Sequence, residues 1–326
     1  MRPSLFVLAV SLALPLEGRA AYPERPITLI VPFAAGGPTD VVARIVVEHM
    51  SRTLGQRVVV ENVVGAGGTI ASTKAAQATP DGYTLIMGHM GTHGAAPAVY
   101  PNLKYDPAKS FAPIGMAAGT PILIVAKKSF PAKDLKEFVA YLKKNSETLN
   151  EAHAGVGSVS FTTCAFFNSL VGAKPTRVVY RGTGPALNDL VSGQVDYMCD
   201  QIVNLVPQIQ AGTIRAYGVA LPQRSPALPD VPTTKEGGLP EFQVSAWNAI
   251  FAPKGTPPEV VKKLSDALTK ALADENTRKR LLDLGADLSD KAAQTPEGLA
   301  KLVDSEVARW KKVLASVSKD AAPPAK

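Results

Sequence analysis

Four times in this chain a glycine-rich turn runs straight into a helical pattern: "PFAAGGPTD" (32–40), "VVGAGGTIAS" (63–72), "AGVGSVSFTT" (154–163) and "YRGTGPALND" (180–189). Glycine lets backbone approach closely and adopt unusual φ. Pro38 and Pro185 stand where a first helical residue is expected, since proline there forfeits no helical hydrogen bond. Strand, short turn and helix in repeated succession specify a parallel sheet with helices on its faces. The first N–H groups of a helix have no partner within it, and the helix dipole makes that end positive. Several such ends gathered at one cleft form an anion site that needs no cationic side chain. The second turn is the weakest of the four, because "GAGG" can serve packing alone.

The elements fall into two α/β series. "ITLIVPF" (27–33) reads as a strand, and the next segment carries Val42, Ile45, Val46 and Met50 at helical spacing until Gly55 stops it. "RVVVENV" is a strand, "TIASTKAAQA" a helix and "YTLIMG" a strand. The second series opens at "PILIVAKK" (121–128), with a helix over 133–144, a strand near 151–154 and a helix near 161–171. "TRVVYR", "VDYMCD" and "IRAYGVA" follow as strands around the helix "PALNDLVSG". After a proline-rich loop, "SAWNAIFAPKG" is a returning strand and 257–273, 275–284 and 296–316 are helices. These last helices have no sheet of their own and must pack on an earlier one. The organisation expected is therefore a discontinuous first lobe, 22–122 with 250–318, a second lobe, 123–249, two crossovers, and a flexible tail at 319–326. Open α/β sheets take ligands at strand C-terminal ends, here between the lobes.

Residues 1–20 have the marks of an export signal: Arg2, the apolar stretch Leu5–Leu16, and small residues for cleavage near Ala20 or Ala21. The stretch is shorter than the ~20 residues that span a bilayer. Cys164 and Cys199 are the two cysteines, an even number that can pair in an exported chain or remain as two buried thiols. The formal charge of +7 is scattered without long basic runs, which argues against a nucleic-acid partner.

Catalytic and cofactor patterns are missing. "GVGSVS" (155–160) is an incomplete dinucleotide fingerprint, and neither a P-loop nor a G-x-S-x-G elbow occurs. "HMGTH" (89–93) has the spacing of a helical metal pair, but Gly91 interrupts it and no third ligand follows, so a loop is expected and no metal. Hydroxyls at Thr39, Thr92, Ser158, Ser160 and Thr183 stand beside the turns. Asp200 can accept a ligand hydrogen bond or cap the next helix, and Phe33 and Phe161 can wall a pocket or fill the core. Trp247 and Trp310 read as packing, and Arg181 as solvated.

"YPERPITLIVPFAAGGPTDVVAR", "VENVVGAGG", "ATPDGYTL", "VVYRGTGPALNDLVSGQVDYMCDQ", "YGVALPQRSPALPDVPTTKEGG" and "APKGTPPEVVKKL" together resemble the solute-binding proteins of tripartite tricarboxylate transporters, the Bug family. The resemblance covers nearly the whole chain after residue 20. It implies a two-lobed, type II-like periplasmic-binding-protein fold that closes as a clamshell. It further implies no catalysis, no cofactor, a periplasmic location, and delivery of an organic carboxylate to membrane permease subunits. Carried over residue by residue, the ligand set is Phe33, Ala34, Gly37 and Thr39, then His89 and Thr92, then Gly157, Ser158, Val159, Phe161, Gly182, Thr183 and Asp200. Phe161 with Met87 and Met90 suggests a weakly polar wall suited to a dicarboxylate or aromatic acid. The rival readings are a hydrolase or transferase on the same scaffold, and a sensor subunit for a histidine kinase.

Overall fold

The computed structural model describes residues 22–320. The expected export signal lies outside the described residues, as do 321–326. Strand β1 (Ile27–Val31) sits between β2 (Val58–Asn62) and β3 (Thr84–His89), parallel to both, with Leu29 level with Val60 and Leu85. The crossovers between these parallel strands are helices α1 (Pro38–Leu54) and α2 (Thr69–Ala76). A second parallel group joins β5 (Asn150–His153), β6 (Thr176–Val179) and β7 (Tyr197–Gln201) through α5 (Val159–Val171) and α6 (Thr183–Ser192).

Two antiparallel strands connect these groups. Strand β4 (Phe111–Lys127) pairs over Phe111–Pro121 with β9 (Ser245–Pro253), which in turn pairs with β3. Past Pro121 the same strand pairs with β7 on one side and β8 (Ile214–Val219) on the other. The resulting order is β2-β1-β3-β9-β4-β7-β5-β6, with β8 beside β4. From Ile114 to Ala126 every residue of β4 is buried, as a strand covered on both faces requires.

Short elements complete the chain: α3 (Ala96–Val99), α4 (Leu135–Asn145) and α7 (Val206–Gln210). The C-terminal helices α8 (Pro258–Ala273), α9 (Glu275–Asp283) and α10 (Pro296–Asp320) pack back on earlier elements, α8 against α1 and α10 against β4. Trp247 and Trp310 are buried, and their indole N–H groups both donate to Glu306 Oε2, at 3.3 and 3.1 Å.

The structure departs from the sequence pattern at four places. Strand β4 starts at Phe111, not near 121, because pairing with β9 holds the Gly- and Ala-rich stretch 111–120 extended despite its low β-propensity. "HMGTH" is not a loop: Met90–Ala95 is a wide π-helical turn leading into α3. Helix α6 begins at Thr183, so Pro185 is its third residue, where a missing N–H is still harmless. Helix α10 runs to Asp320, past the expected start of the tail at 319.

Cys164 on α5 and Cys199 on β7 form a disulfide with Cα atoms 5.1 Å apart, closing a loop with sequence separation 35. The chain-entropy treatment of a loop of that length gives about 3–4 kcal/mol. Guanidinium unfolding of the oxidised protein is therefore expected to exceed that of the reduced protein by about this amount, and equal midpoints would show that the bridge is not formed in solution.

Candidate ligand-binding crevice

The crevice is built from the starts of three helices and the ends of the strands before them. Helix α1 contributes Gly37, Pro38 and Thr39; α5 contributes Ser158, Val159 and Ser160; α6 contributes Thr183. Phe33, His89, Ala154, Asp200 and Gln201 complete the lining from strand ends. Among the described residues that line it, none is Lys or Arg. The free space between these residues is about 260 Å³, part of it open to solvent.

Local hydrogen bonds fix each wall. Gly36, at φ +81°, turns the chain into α1 and donates its N–H to Asp40 Oδ2 at 3.0 Å. The other Asp40 oxygen accepts from Asn62 Nδ2 at 2.9 Å, and Arg44 Nε bonds Oδ2 at 2.9 Å. Burial alone would raise the Asp40 pKa, but the bonds from Arg44, Asn62 and Gly36 hold it below its usual value. Ser158 caps α5 by accepting from Phe161 N–H at 3.2 Å, and Ser160 Oγ accepts from Ala154 N–H at 3.0 Å.

His89 is a neutral donor. Its Nδ1 accepts from the N–H groups of Gly91 (2.8 Å) and Thr92 (3.2 Å), so the ring proton sits on Nε2. Burial lowers its pKa to about 3, and the ring stacks on Phe33 with centroids 4.9 Å apart. Asp200 is fully buried; Oδ2 accepts from Asn204 Nδ2 at 3.1 Å, while Oδ1 has no hydrogen-bond partner among the described residues. Burial pushes its pKa up to about 7, against smaller opposing effects of Gln201, Asn204 and Thr183. Gln201 Oε1 accepts from Thr120 Oγ1 (2.7 Å) and Asn248 Nδ2 (2.9 Å), tying β7 to β4 and β9 at the base of the crevice.

The walls also touch beside the crevice. Ala34 N–H donates to the Arg181 carbonyl at 3.2 Å, and a Cβ on Gly182 would lie 2.9 Å from Ala34 N. A Cβ on Gly184 would lie 2.7 Å from the Ala35 carbonyl oxygen. On the other flank the Tyr100 hydroxyl lies 2.9 Å from Ala66 O and 2.5 Å from Val156 O. There a Cβ on Gly67 would overlap the Val156 carbonyl.

The structure thus brings Phe33, Gly37, Thr39, His89, Ser158, Val159, Thr183 and Asp200 together in one crevice. Ala34, Gly157 and Gly182 sit in the seams: a Cβ on Gly91 would lie 2.7 Å from Gly157 O. Thr92 lies fully buried behind His89, accepting its backbone N–H at 3.2 Å. Phe161 is not in the lining; its ring packs on His153 at 5.1 Å with the Arg177 guanidinium 5.1 Å above it. Met87 and Met90 are fully buried core residues, so the expected methionine wall is absent from the lining. His93 does not converge with His89 on a metal position, since its ring stacks on Phe251 at 4.2 Å. The "GAGG" turn does not line the crevice: Gly67 packs against the Val156 carbonyl and Tyr100, and Gly68 against Thr92, Phe33 and Pro32. The Arg181 side chain is exposed, as expected. Ala154 and Gln201 carry no local sequence signal; Gln201 is marked only by its distant partners on β4 and β9.

Comparison with known proteins agrees with this architecture. The family described as "Tripartite tricarboxylate transporter family receptor" matches residues 42–318. A relative from Agrobacterium vitis, the UPF0065 protein in the TAR-I ttuE-ttuC' intergenic region, is 42% identical over 315 residues, 96% of this chain and 91% of the relative. Protein BugT of Bordetella pertussis is 31% identical over 307 residues, 94% of this chain and 93% of BugT. Among solved structures, MatC from Rhodopseudomonas palustris with bound malate superposes with a TM-score of 0.88 at 52% identity, covering 90% of this chain and all (100%) of MatC. The periplasmic binding protein BugD gives 0.88 at 44% identity, covering 91% and 99%. An R. palustris protein solved with adipate gives 0.86 at 33% identity, covering 91% and 98%. The fold is the two-lobed α/β fold of periplasmic binding proteins, and the chain belongs to the tripartite tricarboxylate transporter receptor family, the Bug solute-binding proteins.

Proposed function

We propose that the protein is a periplasmic receptor that captures an aliphatic organic carboxylate in this crevice and delivers it to membrane permease subunits. The observation that carries the reading is the meeting of three helix N-termini at a lining without Lys or Arg. Their unpaired N–H groups, the hydroxyls of Thr39, Ser158 and Thr183, and Nε2–H of His89 form a set of donors suited to an anion. A hydrogen bond to a charged group nets roughly 1.5–3 kcal/mol. Three or four, less the cost of association, reach about −8 kcal/mol, a micromolar affinity. The malate bound to MatC and the adipate bound to the second R. palustris protein support an aliphatic dicarboxylate. With Phe161 and the two methionines outside the lining, the aromatic alternative loses its support.

In this reading the lobes are 22–122 with 250–318, and 123–249. Strands β4 and β9 carry the chain between them, and the seams at Ala34–Arg181 and Tyr100–Val156 are contacts of the closed clamshell. The periplasmic location rests on the kinship with BugD and on the N-terminal sequence pattern.

Calorimetry with four- to six-carbon dicarboxylates is expected to give micromolar dissociation constants with the compound recovered unchanged. Ligand at 100 times its dissociation constant should add about 2.7 kcal/mol to stability. No binding by any aliphatic carboxylate, or consumption of the compound, would overturn the reading. Gly184→Val is expected to wedge the seam against Ala35 and weaken binding at least about tenfold, with small-angle scattering showing no compaction on ligand addition. Unchanged affinity would remove closure from the account.

His89 should remain neutral, with its proton on Nε2, from about pH 8 to about pH 4 in nitrogen-detected NMR of the ring. Its lowered pKa means that protonation opposes folding. The stability it contributes is complete above the unfolded value near 6.5 and is lost as pH falls towards 3. A ring titrating near 6.5 would show that the burial is not maintained.

A further inference from the structure

The crevice is rich in donors, which leaves one lining group chemically out of place. Asp200 is an acceptor with no exposed surface, and it stands among helix N-termini and hydroxyls arranged for an anion. One of its oxygens is held by Asn204, and the other, Oδ1, has no hydrogen-bond partner among the described residues, although the Thr183 hydroxyl and the Gln201 backbone stand near enough to the carboxyl to lower its pKa. Buried polar atoms are almost always paired, so an unpaired one at a binding site marks a partner that arrives with the ligand. The two serine hydroxyls beside it, of Ser158 and Ser160, face each other at 3.3 Å, their oxygens also accepting from Phe161 N–H and Ala154 N–H, and the Gln201 side chain is held through Oε1 by Thr120 and Asn248. The Asn204 carboxamide that holds Oδ2 is itself buried and fixes the Asp200 carboxyl in place.

We propose that Asp200 selects for carboxylic acids that carry a hydroxyl on the carbon chain, with Oδ1 accepting the O–H of the ligand. This rests on the carboxylate reading above and narrows it to hydroxy acids. A plain dicarboxylate has no donor to offer, so Oδ1 would stay unpaired when it bound. An ammonium group is a donor too, but it asks for several acceptors and would sit in the positive potential of three helix starts. A hydroxyl asks for one acceptor, which is what the site leaves unpaired.

The test compares acids that differ by one group: malate with succinate, 2-hydroxyadipate with adipate, and aspartate as the ammonium probe. Calorimetry at about pH 8, above the titration of Asp200, measures each against the wild-type protein and Asp200→Ala. The hydroxy acid of whichever pair binds is expected to bind at least about tenfold more tightly than its parent and than aspartate. In D200A the hydroxy acid should weaken until that ratio falls to about one. Equal binding of hydroxy and parent acids by the wild type overturns the inference while leaving the carboxylate reading intact. So does a ratio that survives in D200A, or aspartate as the tightest ligand. If no acid of either pair binds the wild type, the carboxylate reading fails, and the inference with it. The wild-type comparison decides the matter even if D200A does not fold.

Discussion

The first turn of a helix has N–H groups that nothing in the helix can satisfy, and this protein gathers three such turns around one small volume. Their placement follows from parallel strand pairing, since in a strand–turn–helix unit the helix starts where the strand ends. Helix α1 comes from one group of strands and α5 and α6 from the other, so the site exists only when both groups are brought together. The long strand β4 does this mechanically, pairing with β9 through its first half and with β7 and β8 through its second. The Gln201–Thr120–Asn248 cluster then locks the three strands where they meet beneath the crevice.

This arrangement explains how the proposed anion site can do without a lining Lys or Arg. A guanidinium brings a full charge that must be desolvated as the walls close. Backbone N–H groups at a helix start carry only partial charges and are already oriented, so little is lost when water leaves. His89 follows the same logic: two backbone N–H groups fix its tautomer, and burial keeps it uncharged. The Thr92 hydroxyl accepts the His89 backbone N–H, and Phe33 stacks on the face of the ring.

Much of this was legible in the sequence because the information is local. Glycine followed by Pro38, or by the cap Ser158, marks a turn and a helix start within a few residues. What the sequence concealed depends on partners far along the chain. Residues 111–120 have a composition that disfavours strands, and only β9, more than a hundred positions away, makes them one. Met87 and Met90 lie beside His89 in sequence but are directed into the core, and Phe161 follows the cap of α5 yet packs on Arg177. Gln201 and Tyr100 gain their meaning from Thr120, Asn248, Ala66 and Val156, none of which is a sequence neighbour.

The Tyr100 hydroxyl spans Ala66 and Val156 away from the residues that line the crevice. If the lobes close on a ligand as proposed, a bond there strengthens the shut form to the same degree whatever is held inside. Its energy multiplies every affinity by one common factor and leaves the ratios between ligands untouched. Under the proposed closure, how firmly the protein grips and what it chooses to grip would be governed by separate residues, and either could drift during evolution without disturbing the other.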